Sequence, residues 1–106
     1  PRPDSLAIYS SRRSVLLGAF DEMDIPYGPH GGGLFVWADV SRFGIGAEAF
    51  CARLLDEVGV LMFPGNSFGD RWNHWVRVSL LAPEEDVREA VARMRAFITH
   101  LDARDA

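Results

Sequence analysis

The stretch Trp75-Val76-Arg77-Val78-Ser79-Leu80-Leu81 places an arginine in the middle of an apolar run. The run alternates, which predicts a β-strand. Val76, Val78 and Leu80 point to one face, and Trp75, Arg77 and Ser79 to the other. A guanidinium in the centre of a sheet is costly to bury unless an anion meets it. Its planar fork of donors matches a carboxylate better than any other partner. Two readings follow. Arg77 could be neutralised inside the chain by an acid such as Asp39, or it could bind the carboxylate of a visiting molecule. Alternation alone does not separate them.

The elements on either side of this strand settle the fold class. Asp4 to Met23 is predicted to be a helix capped by Asp4, with Leu6, Tyr9, Leu16, Phe20 and Met23 at helical spacing. Ile25-Pro26 ends it, because the residue before proline avoids helical angles. Tyr27 to Gly33 is a glycine-rich loop. Leu34 to Val40 reads as a strand that is apolar on both sides, as if covered on two faces. Ala47 to Glu57 is predicted to be a helix with Phe50, Cys51, Leu54, Leu55 and Val58 on one side, closed by Gly59. Val60 to Phe63 reads as a short strand halted by Pro64-Gly65, and Asn66 to Asn73 as a loop. After the Arg77 strand, Pro83-Glu84-Glu85-Asp86 is a helix start, with proline in the first turn and acids against the helix dipole. Val87, Ala90, Val91, Met94, Phe97, Ile98 and Leu101 form its apolar stripe. Glu84 with Arg88, and Glu89 with Arg93, form pairs on its wet side. The tail after Leu101 is expected to fray. The order is α-β-α-β-β-α, which predicts an α+β domain: a small, mostly antiparallel sheet with helices packed on it.

Composition narrows the function. A chain of 106 residues is one domain with room for one modest core. All eleven basic side chains are arginines, and no lysine is present to form a Schiff base. The net charge of −4 argues against a nucleic-acid surface, which needs a basic stripe. No apolar run approaches the ~20 residues of a membrane span, and the opening Pro1-Arg2-Pro3-Asp4 does not read as a signal peptide. The single Cys51 has no internal disulfide partner, which suggests a reducing, cytoplasmic setting.

Other candidate sites read as ordinary structure. Gly31-Gly32-Gly33 precedes a strand, whereas phosphate-cradling loops precede a helix. Gly65 to Gly69 lacks a following helix and lysine. His30, His74 and His100 lie in three separate elements without metal-ligand spacing; of these, His74 is the nearest to the Arg77 strand. Cys51 falls on a helix's apolar stripe, where packing is the expected role. Trp37, Trp72 and Trp75 are expected in the core or at an interface.

Four motifs in order carry a resemblance. They are Gly32-Gly33-Leu34-Phe35-Val36-Trp37-Ala38-Asp39, Glu57 through Gly69 with its Phe63-Pro64-Gly65-Asn66-Ser67-Phe68-Gly69, Val76-Arg77-Val78-Ser79-Leu80, and Ala82-Pro83-Glu84-Glu85. Together they resemble the C-terminal small domain of class I/II pyridoxal-phosphate-dependent aminotransferases of the aspartate aminotransferase fold. Tyr9 to Leu16 is similar to the helix that leads into that domain. The resemblance implies that Arg77 grips the substrate's α-carboxylate. It also implies that Phe35 brings an aromatic ring to the pocket, and that Asn66 and Ser67 border it. The same resemblance implies a pyridoxal 5'-phosphate cofactor, amino-acid and 2-oxo-acid substrates, and a homodimer. Such enzymes carry the cofactor on a lysine of a preceding large domain, which this chain lacks. Residues 1–106 would then be a single small domain that closes over the active site and is inactive by itself. A transcription regulator borrowing the fold, or a lyase or synthase of the same cofactor class, would share these residues.

Overall fold

The computed structural model describes residues 3–28 and 33–105. His30, Gly31 and Gly32 lie outside the described residues. Among those described, three helices and three strands follow one another as α1 (Pro3–Glu22), β1 (Phe35–Asp39), α2 (Gly46–Val58), β2 (Phe63–Pro64), β3 (Trp75–Ser79) and α3 (Glu84–Asp105). This is the predicted order. The strands form one antiparallel sheet in the spatial order β1-β3-β2, so the strand carrying Arg77 is the central one.

One face of the sheet carries the core. Val36, Ala38, Val76 and Leu80 are buried against Leu16 and Phe20 of α1, Phe50 and Leu54 of α2, and Met94 and Phe97 of α3. Phe50 bridges two helices by stacking edge-on against Phe97, with ring centroids 5.6 Å apart. α1 and α3 run side by side in the same direction. The Ser11 hydroxyl donates to Glu84 near one end of the pair, and Arg95 meets Glu22 at 2.9 Å further along. The wet side of α3 carries the predicted pairs, with Arg88 to Glu84 at 3.2 Å and Arg93 to Glu89 at 3.1 Å.

The structure corrects several boundaries. α1 already begins at Pro3, one residue before the expected start at Asp4. The second strand is Phe63–Pro64, not Val60 to Phe63. Val60 and Met62 do turn inward and are buried. The backbone nevertheless gains a sheet partner only where Phe63 meets Arg77. The strand does stop at Pro64-Gly65, where a 3-10 turn takes over, and Pro64 itself can pair because an edge strand tolerates a missing N–H. Leu55 is not on the apolar stripe of α2; it faces outward, 49% exposed. Gly59 closes that helix as expected, with φ of 71° and its N–H donated to Leu55. The tail does not fray at Leu101, since α3 continues to Asp105. Asp102 is held there by Arg42 at 2.9 Å.

β1 is not covered equally on both faces. Val36 and Ala38 are buried, while Phe35, Trp37 and Asp39 are only half-buried. The sheet therefore has a closed inner face and an outer face that the chain covers only in part. Tyr27 pairs alongside Ala38 and shields the free edge of β1.

Candidate functional site

The outer face is built by register. Trp37 lies opposite Arg77 on one side and Phe63 lies opposite it on the other. Phe35 pairs with Ser79, which places it diagonal to Arg77 and within side-chain reach. Two short 3-10 turns, Gly65–Phe68 and Asp70–Trp72, fold over this face. They bring Phe68 edge-on to Trp37 at 5.4 Å and Trp72 to 4.9 Å from Trp37, with Trp75 next to Trp72 at 5.8 Å. The three tryptophans are thus half-buried members of one aromatic layer.

Arg77 is half-buried in that layer. Its guanidinium carbon lies 4.3 Å from the ring centre of Phe35, 5.5 Å from that of Phe68 and 5.6 Å from that of Phe63. Nε is buried without a hydrogen-bond partner. The two terminal nitrogens make no hydrogen bond or ion pair among the described residues, and neither is a buried orphan. They therefore reach solvent. Asp39 does not neutralise this cation. It sits opposite Trp75, and its Oδ1 accepts the Ser41 N–H at 2.8 Å. An unpaired guanidinium with a free fork, walled by aromatic rings, is arranged to receive an anion.

The remaining sequence candidates divide. Asn66 is in the turn over β3, but its Nδ2 donates to Glu48 of α2 at 3.0 Å and its Oδ1 is buried without a partner. Ser67 is exposed beside it. His74 and His100 are exposed and far apart along the chain. Among the described residues, no group of His, Cys, Asp and Glu could hold a metal. Cys51 is free and buried on α2. Loss of solvation pushes its thiol up to about 11, so it stays protonated and serves packing.

Sequence reading missed two kinds of residue. Phe63 and Phe68 join the guanidinium only through strand register and turn geometry. Arg12 and Arg13 of α1 reach across to the end of the β1–β3 pair. Arg12 donates to the Leu80 carbonyl at 2.7 Å, and Arg13 donates to the carbonyl of Gly33. Their positions in the chain put both in the middle of α1 and say nothing about which strand they reach.

Fold and site together define a small α+β domain that offers an unpaired arginine on an open aromatic face. Residues 3–94 match the family model for aminotransferase class I and II, and the chain belongs to that family. An LL-diaminopimelate aminotransferase of Gloeobacter violaceus is 34% identical over 92 residues, spanning 86% of this chain and 23% of that enzyme. A valine–pyruvate aminotransferase of Mycobacterium tuberculosis is 36% identical over 96 residues, spanning 89% of this chain and 25% of that enzyme. The crystal structure of an aminotransferase from Mycobacterium tuberculosis matches with a TM-score of 0.85 at 35% identity, covering 92% of this chain and 26% of that one. The chain therefore spans about a quarter of the length of the relatives it matches. The family implies pyridoxal phosphate. This chain's own residues do not fit a covalent site for it, since no lysine is present.

Proposed function

We propose that these 106 residues form a single domain, the substrate-clamping small domain of a pyridoxal-phosphate-dependent aminotransferase. The whole enzyme would move an amino group between an amino acid and a 2-oxo acid. Arg77 binds the substrate's α-carboxylate, Phe35 packs beside that carboxylate, and Asn66 borders the pocket through the turn over β3. The observation that carries this reading is the free guanidinium fork on the open face, with no acid among the described residues engaging it. Family membership supports the reaction class. The curated relatives named above act as aminotransferases, one named for LL-diaminopimelate and one for valine and pyruvate.

The cofactor is assigned to a companion large domain, because an all-arginine chain has no side-chain amine to carry it. The contribution of this domain is orientation. A bidentate contact fixes the plane of the carboxylate and so the orientation of the bonds at the neighbouring carbon. Closure of the domain over the substrate excludes water from the reaction. The whole enzyme would work in the cytoplasm as a homodimer; the buried, free Cys51 supports a reducing compartment.

Replacing Arg77 with lysine in the full-length enzyme tests the assignment. The bidentate geometry is lost while a positive charge remains. The kcat/KM for amino acids should fall by about 100-fold or more, as expected for losing a charge-assisted hydrogen bond worth roughly 3 kcal/mol. Uptake of pyridoxal phosphate should persist. Alanine should be worse than lysine. An unchanged kcat/KM in the lysine variant would remove Arg77 from the substrate site.

A further inference from the structure

The wall around Arg77 points to two further positioning residues. An arginine with no acid partner is normally a loose side chain that samples many rotamers. Here three rings restrain the guanidinium: Phe35 at 4.3 Å, Phe68 at 5.5 Å and Phe63 at 5.6 Å. They come from three separate segments, β1, the Gly65–Phe68 turn and β2. Ring faces attract a cation through their electron density and accept none of its hydrogen bonds strongly. An acid in their place would hold the guanidinium equally well, but it would occupy the fork and compete with any incoming carboxylate.

Phe63 and Phe68 are not explained by the core. They are 40% and 54% exposed, respectively, and neither belongs to the buried cluster. Phe68 is additionally held against Trp37 at 5.4 Å in an edge-on contact, so its ring has a defined seat. With Nε sealed beneath the aromatic layer, the fork is left to present its terminal nitrogens outward.

We infer that Phe63 and Phe68 are positioning residues. With Phe35 they form a neutral aromatic cage that fixes the Arg77 guanidinium while keeping its donors free for a substrate carboxylate. This rests on Arg77 being the carboxylate site. The cage acts on binding. The cage pre-organises the guanidinium before the substrate arrives, and once the bidentate contact is made the carboxylate itself holds the fork in its orienting geometry, so losing a ring raises KM and leaves kcat largely unchanged.

The test uses the full-length enzyme with Phe63→Leu, Phe68→Leu, the double variant, and the tyrosine variants Phe63→Tyr and Phe68→Tyr. Leucine keeps an apolar side chain and removes the ring; tyrosine keeps the ring face. Because both positions are largely exposed, these changes leave the core intact. Each leucine variant should raise the KM for the amino acid about two- to five-fold, the effect of one exposed cation–π contact. Because the two rings share one guanidinium, the double variant should raise it more than either single change. Both tyrosine variants should restore the wild-type KM. Leucine variants with wild-type KM, or tyrosine variants that behave like leucine, would overturn the cage even if Arg77→Lys remains crippled. A fully active Arg77→Lys enzyme would overturn the carboxylate site itself and the cage with it.

Discussion

Gly65 governs how closely the turn over the sheet can approach Arg77. A Cβ built at this position would lie 2.7 Å from the Trp72 carbonyl oxygen, 3.0 Å from the Trp72 Cβ and 3.0 Å from the Trp75 carbonyl oxygen. Two of these neighbours are backbone and have little room to give. Gly65→Ala should therefore destabilise the protein by about 1–3 kcal/mol through overpacking. Urea unfolding measures this directly, and a variant with the midpoint of the parent would show that the turn has room to spare. The same glycine explains why Phe68, three residues on, comes down onto Trp37 and Arg77 and does not project into solvent. At this scale the molecule behaves as a site whose wall depends on the absence of a single methyl group.

The junction of α1 and α3 has a titratable component of its own. The Ser11 hydroxyl donates to the Glu84 carboxylate, and Arg88 adds a second hydrogen bond one turn along α3. The Ser11 bond first, then Arg88, holds the Glu84 carboxyl below its ordinary value of 4.5. A carboxyl whose value is lowered by folding stabilises the native state above its unfolded value. That contribution is lost as pH falls through the folded one. Ser11→Ala should therefore lower Tm at pH 7, with the deficit closing as the pH is taken below about 4. Thermal melts across that range check it, and a deficit that is constant with pH would place the effect of Ser11 elsewhere. Because Glu84 is at the surface, the effect is small beside that of core packing. Element packing also bears on the site, since α1 carries Arg12 and Arg13 to the carbonyls at the end of the β1–β3 pair.

Taken whole, the molecule has one sealed face and one open one. Three helices close the inner face around a continuous apolar core. The outer face presents half-buried tryptophans, Phe35, Arg77 and the exposed rings of Phe63 and Phe68. A surface of this kind suits a companion surface carrying the rest of an active site. The proposed division of labour has a measurable consequence. The 106-residue chain, titrated with pyridoxal phosphate in a calorimeter, should give no saturable binding, because it has no lysine to hold the aldehyde. Tight binding would return the cofactor site to this domain and overturn its assignment to a companion.

Much of this was legible from residues alone. Period-two alternation put Arg77 on the face opposite Val76 and Leu80, because successive side chains of a strand must point to opposite sides. Helical periodicity identified the three helices, and Gly59 marked the end of the second because a left-handed closing residue favours glycine. The extent of β2 was not legible. Val60 to Phe63 has the local composition of a strand, yet pairing begins only where the sheet supplies a partner. The fate of the Arg77 charge was not legible either, and the proposed carboxylate role rests on it. Whether Asp39 meets Arg77 depends on the register between two strands nearly forty residues apart, which local pattern does not encode. The tertiary structure set that register, placing Asp39 opposite Trp75 and phenylalanine rings around the guanidinium. Local sequence could put the cation on a face, but only long-range pairing could leave it without an acid.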